Sequence, residues 1–230
     1  MVQKKKNSIK KENKEKLTPK KKQNRQLTWA IILMGAIILI IVLAPIIRLY
    51  VFDNFEYESL KFKKTGKDVI YYTTNIPLVN DQKQIYLIPW NFKNDPRDLE
   101  DIELDIPENT ILFVKNETVY VSFESEAPSC DESILAGVGI LNFLDNMLEP
   151  EVIGAFDNED FVEQVNRSYI TCENAPEHTV ITLRNGNETM IKKVKDNCYE
   201  LSYKDCEINV ISEKFMFIIL ENYMKYFSVD

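Results

Sequence analysis

Hydrophobic and polar positions divide this chain before any motif is considered. Residues 29–47 (WAIILMGAIILIIVLAPII) form an uncharged run. At a rise of about 1.5 Å per residue it spans about 28 Å, close to the hydrocarbon thickness of a bilayer. Trp29 at one end, and Ile47, Arg48 and Tyr50 at the other, suit a membrane span with interfacial aromatics and an arginine that snorkels outward. Beyond it the pattern changes to short apolar runs broken by turn residues. Residues 55–62 and 69–74 predict a hairpin around Thr65-Gly66, and residues 85–90 a strand. Asp95, followed by Pro96 and Asp98, predicts a capped helical turn over residues 96–101.

Residues 111–114 and 118–123 predict a second hairpin. A helix is expected from about Asp131 to Leu148, burying Ile134, Leu135, Val138, Leu141, Leu144 and Leu148 and ending before Pro150. A strand over 152–156, a short helix over 159–165 and a strand over 168–172 follow. Asn185-Gly186-Asn187, between β-like runs at 178–184 and 188–194, predicts a third hairpin, with another strand over 198–202. The last helix, over 208–227, is apolar almost all round at residues 215–220, which predicts cover on most sides. This order predicts an α+β fold: an N-terminal single transmembrane helix, then an antiparallel-hairpin-rich sheet with two main helices packed on one face.

Charge sharpens the division. The net charge of −8 over 230 residues averages three unlike regions: +9 over residues 1–26, +1 over 27–50 and −18 over 51–230. The expected organisation is a disordered basic cytoplasmic tail (1–26), a transmembrane signal-anchor helix (27–50) and an extracytoplasmic α+β domain (51–230). Eleven Lys and Arg ahead of the apolar run direct the N-terminus inward and the C-terminal domain outward. The run exceeds the usual length of a signal-peptide core, and Pro45 after Ala44 disfavours cleavage. The expected location is therefore the cytoplasmic or plasma membrane, crossed once. Membrane lipid is the expected partner of the anchor and basic tail. The −18 domain is not expected to bind nucleic acid, because phosphate contacts need cations.

All four cysteines, Cys130, Cys172, Cys198 and Cys206, lie beyond the apolar run, which argues for two disulfides in an oxidising space. Three connectivities are possible. Cys172 and Cys198 stand nearly opposite across the predicted Asn-Gly hairpin, while Cys130 and Cys206 each open a predicted helix, so these two pairs are favoured. Cys198 with Cys206 is the local alternative. No C-x-x-C pair exists and His178 is the only histidine, so no metal and no cofactor is expected. Asn116, Asn166 and Asn187 each begin a glycosylation triplet.

Catalytic constellations are sparse. Cys130 at a helix start, with His178, could form a thiol nucleophile and base, but a disulfide competes for the thiol. The acidic residues Asp95, Asp98, Glu100, Asp101, Glu103 and Asp105 lack calcium-loop spacing and read as a capped turn with a solvated face. No phosphate-binding loop occurs. No catalytic residue is assigned, and the expectation is a non-enzymatic binding or structural module of the envelope, with an envelope protein as partner. The alternatives are a surface hydrolase using carboxylates or the Cys/His pair, and an accessory of secretion or surface assembly. The sequence specifies neither ligand nor oligomeric state.

A series of short signatures runs through the outer region: Phe55-Glu56-Tyr57 with Leu60-Lys61-Phe62, Asn94 to Glu100, Val119 to Phe123, Ile170-Thr171-Cys172, Asn197-Cys198-Tyr199 and Ser212-Glu213-Lys214-Phe215. Their order resembles a group of uncharacterised archaeal single-pass membrane proteins. The resemblance implies a cell-surface setting and a paired role for Cys172 and Cys198. It implies no activity, and Cys130 and Cys206 are not part of that pattern.

Overall fold

The computed structural model describes residues 19–48, 53–79, 83–107, 118–125, 130, 133–148 and 151–227. Residues 1–18, Tyr50, Asn116, the strand expected at 111–114 and the expected helix start at Asp131 lie outside the described residues. The chain forms two units, Met1–Phe52 and Asp53–Asp230.

In the first unit, helix α1 runs over Pro19–Ile47. It begins eight residues before Leu27, inside the stretch expected to be disordered. Pro19 suits the first helical position, and the Lys, Gln and Arg that follow are good helix formers. Pro45 falls near the other end, where few backbone bonds are lost. Every residue from Leu27 to Ile47 is exposed, and this stretch is long and apolar enough to cross a membrane.

The second unit is α+β. Strands β1 (Asn54–Tyr57), β2 (Leu60–Thr65), β3 (Tyr71–Val79) and β4 (Ile85–Phe92) form an antiparallel meander in chain order. The hairpin expected around Thr65-Gly66 is the β2–β3 connection, with Phe62 opposite Thr74 and Thr65 opposite Tyr71. Alternation sets the buried face: Leu60, Phe62, Thr74, Ile76, Leu78 and Phe92 point inward. A 3-10 turn over Pro96–Leu99 follows β4, capped by Asp95.

The larger sheet contains β5 (Glu103–Asp105), β6 (Thr118–Phe123), β7 (Glu151–Phe156), β8 (Ser168–Tyr169), β9 (Thr179–Asn185), β10 (Met190–Lys195) and β11 (Cys198–Tyr203). Their spatial order is β5-β10-β11-β9-β6-β7-β8. Among the described strands of this sheet only β10 and β11 are antiparallel neighbours; the other pairs are parallel. Helix α2 (Ser133–Leu148) joins β6 to β7 and α3 (Glu159–Val165) joins β7 to β8, the crossovers that parallel neighbours require.

The predicted Asn-Gly hairpin does not form, because β11 lies between β9 and β10. From Thr179 to Leu183 every residue of β9 is buried, so this strand takes a parallel partner on each side. The turn instead crosses the end of β11. Gly186 donates its N–H to the Tyr203 carbonyl at 2.8 Å, and a Cβ there would collide with the Ser202 hydroxyl.

The final helix α4 (Ile208–Phe227) packs on α2 and against β10 and β11. Its Phe215 ring lies 5.9 Å from Tyr199 in the larger sheet, while Phe217 lies 4.1 Å from Phe92 and 5.9 Å from Phe62 in the meander. Trp90 of the meander reaches Phe143 of α2 at 5.4 Å. The two helices therefore share the interior between the sheets, which explains why α4 is apolar nearly all round. In α2 the buried stripe is Ala136, Ile140, Phe143, Leu144 and Met147, whereas Leu135 and Val138, expected inside, are exposed. The stripe follows the contact with α4 and Trp90 rather than the most apolar positions.

Candidate functional site

A group of charges lies where the β1–β2 turn, the 3-10 turn and α4 meet. Glu58 and Ser59 both take left-handed backbone conformations, with φ of 46° and 64°, which closes the hairpin in two residues. Asp95 accepts from the Arg97 backbone N–H at 3.1 Å and from its Nε at 2.8 Å and Nη2 at 2.5 Å. Burial pushes the Asp95 carboxyl up, but the Arg97 hydrogen bonds and charge prevail and hold it below its ordinary value. The same guanidinium sits 3.9 Å above the Phe55 ring. This arrangement fixes the 3-10 turn on the meander.

Glu213 ties α4 to the segment after β4. It accepts from the backbone N–H of Lys93 at 2.7 Å and of Asn94 at 2.8 Å, and from Asn94 Nδ2 at 2.8 Å. Burial raises its pKa against the pull of these donors. Beside it, Lys214 is only 8 % exposed. Burial lowers its pKa, opposed in turn by Glu100, Glu221, Asp101 and Glu58. Tyr57 is pushed up to about 12 by burial, then by Glu100, Glu58 and Glu221. The result is a sheltered ammonium in the field of four carboxylates, with a phenol kept protonated. Such a group can hold elements in register and present negative charge to a cationic partner; it contains no thiol or imidazole.

The remaining candidates are dispersed. The structure pairs Cys130 with Cys206 and Cys172 with Cys198, with Cα–Cα separations of 5.7 and 5.8 Å, and among the described residues no cysteine is free. Cys172 and Cys198 meet because Cys198 opens β11, whose parallel register places it opposite Val180 at the start of β9. Their juxtaposition arises from parallel pairing, not from a shared hairpin. Cys206 follows the opposite end of β11, whereas His178 immediately precedes β9 and stacks edge-on against Tyr120 at 5.4 Å. The strands thus separate Cys130 from His178, and the bridge leaves Cys130 no thiol to act as a nucleophile.

Glu103 and Asp105 stand exposed on the edge strand β5. Among the described residues no group of three or more His, Cys, Asp or Glu is placed to hold a metal ion. Asn166 is exposed in a left-handed conformation at the end of α3, and Asn187 is exposed in the β9–β10 connection. Trp29, Ile47 and Arg48 are exposed at the two ends of the apolar stretch. The sequence candidates did not include Glu213, Lys214 or Tyr57 as a group. Their available signal was a Glu-Lys pair immediately before the apolar run of the last helix. Comparison with protein-family models, with curated proteins and with solved structures finds no match.

Proposed function

We propose that this chain is a membrane-anchored extracytoplasmic module that binds an envelope protein or contributes to envelope structure. The observation that carries this reading is the pairing, in one chain, of a fully exposed apolar helix with a separate unit stapled by two disulfides. Bridges of this kind persist outside the reducing cytoplasm. The basic residues ahead of the helix favour the matching orientation, with the N-terminus inside. Surface carboxylates around Lys214 would suit a cationic patch on the partner.

The test uses the full chain in cell membranes. Alkaline carbonate should leave it in the membrane pellet at its full mass, and crosslinking there should recover a defined envelope component in stoichiometric yield. Release into the supernatant at a shortened mass would contradict the anchor. Retention without any crosslinked component would remove the protein-binding part.

A further inference from the structure

We propose that the β2–β3 turn docks the outer domain onto the bilayer, inserting its apolar tip into an anionic headgroup layer; this rests on the reading of α1 as an anchor. The turn presents Val69, Ile70 and Tyr71 at 49 %, 43 % and 41 % exposure. Three consecutive apolar or amphipathic side chains open to solvent are suited to the headgroup boundary, where a tyrosine keeps its hydroxyl wet. Lys63 and Lys64 on β2 and Lys67 in the turn flank them, and Asp68 is the carboxylate within the turn. Lysines can lay their stems along the apolar layer and leave their ammonium groups among phosphates.

The tip is also built to hold its shape. Gly66 has φ of +99°, and a Cβ there would collide with the Val69 carbonyl. Behind it, Thr65 Oγ1 and Thr73 Oγ1 share a hydrogen bond of 3.0 Å, and Thr73 Oγ1 donates to Asn91 Oδ1 at 2.7 Å.

Two observations select a bilayer as the occupant. The first is the tether. The Lys64 N–H donates to the Asp53 carbonyl at 2.7 Å, so the unit begins at the same end of the meander as the turn. Asp53 follows Ile47 by six residues, which at about 3.5 Å per extended residue cannot exceed about 21 Å. A bilayer holding the apolar run therefore lies within reach of this end. The second is charge. Residues 51–79 carry four lysines and four acids, whereas residues 80–230 carry a net −18. An anionic surface repels most of the domain and tolerates this end.

Spin labelling of the full chain in sealed vesicles tests the proposal, since a single added cysteine can be labelled beside bridged native ones. Ile70→Cys reports the turn; Ile85→Cys, 71 % exposed near the other end of the meander, reports water; Leu39→Cys reports the anchor. In phosphatidylcholine vesicles containing phosphatidylglycerol, the ratio of oxygen to nickel-complex collisions at position 70 should exceed that at 85 several-fold. The ratio should fall in phosphatidylcholine alone. If Ile70→Cys fails to fold, Val69→Cys supplies the same reading.

Equal water access at 70 and 85, with position 39 in the bilayer, overturns the docking and leaves the anchor standing. Position 39 in water overturns both. Shielding at 70 accompanied by spin–spin broadening that grows with protein density assigns the turn to a second copy and overturns the lipid proposal. An unchanged ratio in phosphatidylcholine alone overturns the anionic requirement.

Discussion

Glu213 and Lys214 are adjacent in α4 yet solve opposite problems. Glu213 accepts three hydrogen bonds from Lys93 and Asn94, so Glu213→Ala leaves donors without an acceptor and should cost about 3 kcal/mol. Chemical denaturation of the full chain in detergent would measure it. Because its pKa is raised in the folded state, the native protein binds this proton more tightly than the unfolded chain. Its contribution is therefore greatest at low pH and declines as pH climbs from 4.5 through the folded value. Glu213→Gln should flatten that decline; an unaltered pH profile would contradict the assignment. Lys214 runs the other way. Its lowered pKa means that sheltering the ammonium opposes folding below the folded value, and that stability recovers as pH rises from there to 10.5. Lys214→Met should stabilise the protein at neutral pH by about 1 kcal/mol or more, a gain that shrinks toward pH 10.5. Destabilisation at neutral pH would show that the four carboxylates outweigh burial.

At the scale of elements, the two bridges close chain segments of different length. Cys130 and Cys206 are 76 residues apart, and Cys172 and Cys198 are 26 apart. If restriction of the unfolded chain dominates, these correspond to about 4.5 and about 3.5 kcal/mol. Replacing Cys130 and Cys206 together by serine should lower stability more than replacing Cys172 and Cys198, and equal or reversed losses in denaturation midpoints would contradict that ordering. The elements also show what local pattern conveys. The meander is legible because β2 and β3 alternate and Gly66 marks their turn, and α4 is legible because residues 215–220 admit no wet face. Strand order in the larger sheet is not legible in the same way. Thr179 to Leu183 is buried on both faces, so no alternation identifies its neighbours, and Asn-Gly speaks for a hairpin that the insertion of β11 pre-empts. The Lys214 group escaped for a related reason: Glu221 shares its helix, but Tyr57, Glu58 and Glu100 join it only after three distant segments fold together.

Across the whole chain, charge and hydropathy remain the most informative features. The apolar helix is exposed at every residue from Leu27 to Ile47 and is long and apolar enough to cross a membrane, and the second unit has a hydrophobic core of its own. The proposed single crossing with the disulfides outside rests on the basic stretch before this helix. Protease digestion of sealed membrane vesicles tests that claim most directly. In right-side-out vesicles, added protease should remove the C-terminal domain and leave a small N-terminal fragment containing Trp29 to Ile47, while inside-out vesicles should protect the domain. Digestion of the domain only in inside-out vesicles would contradict the account.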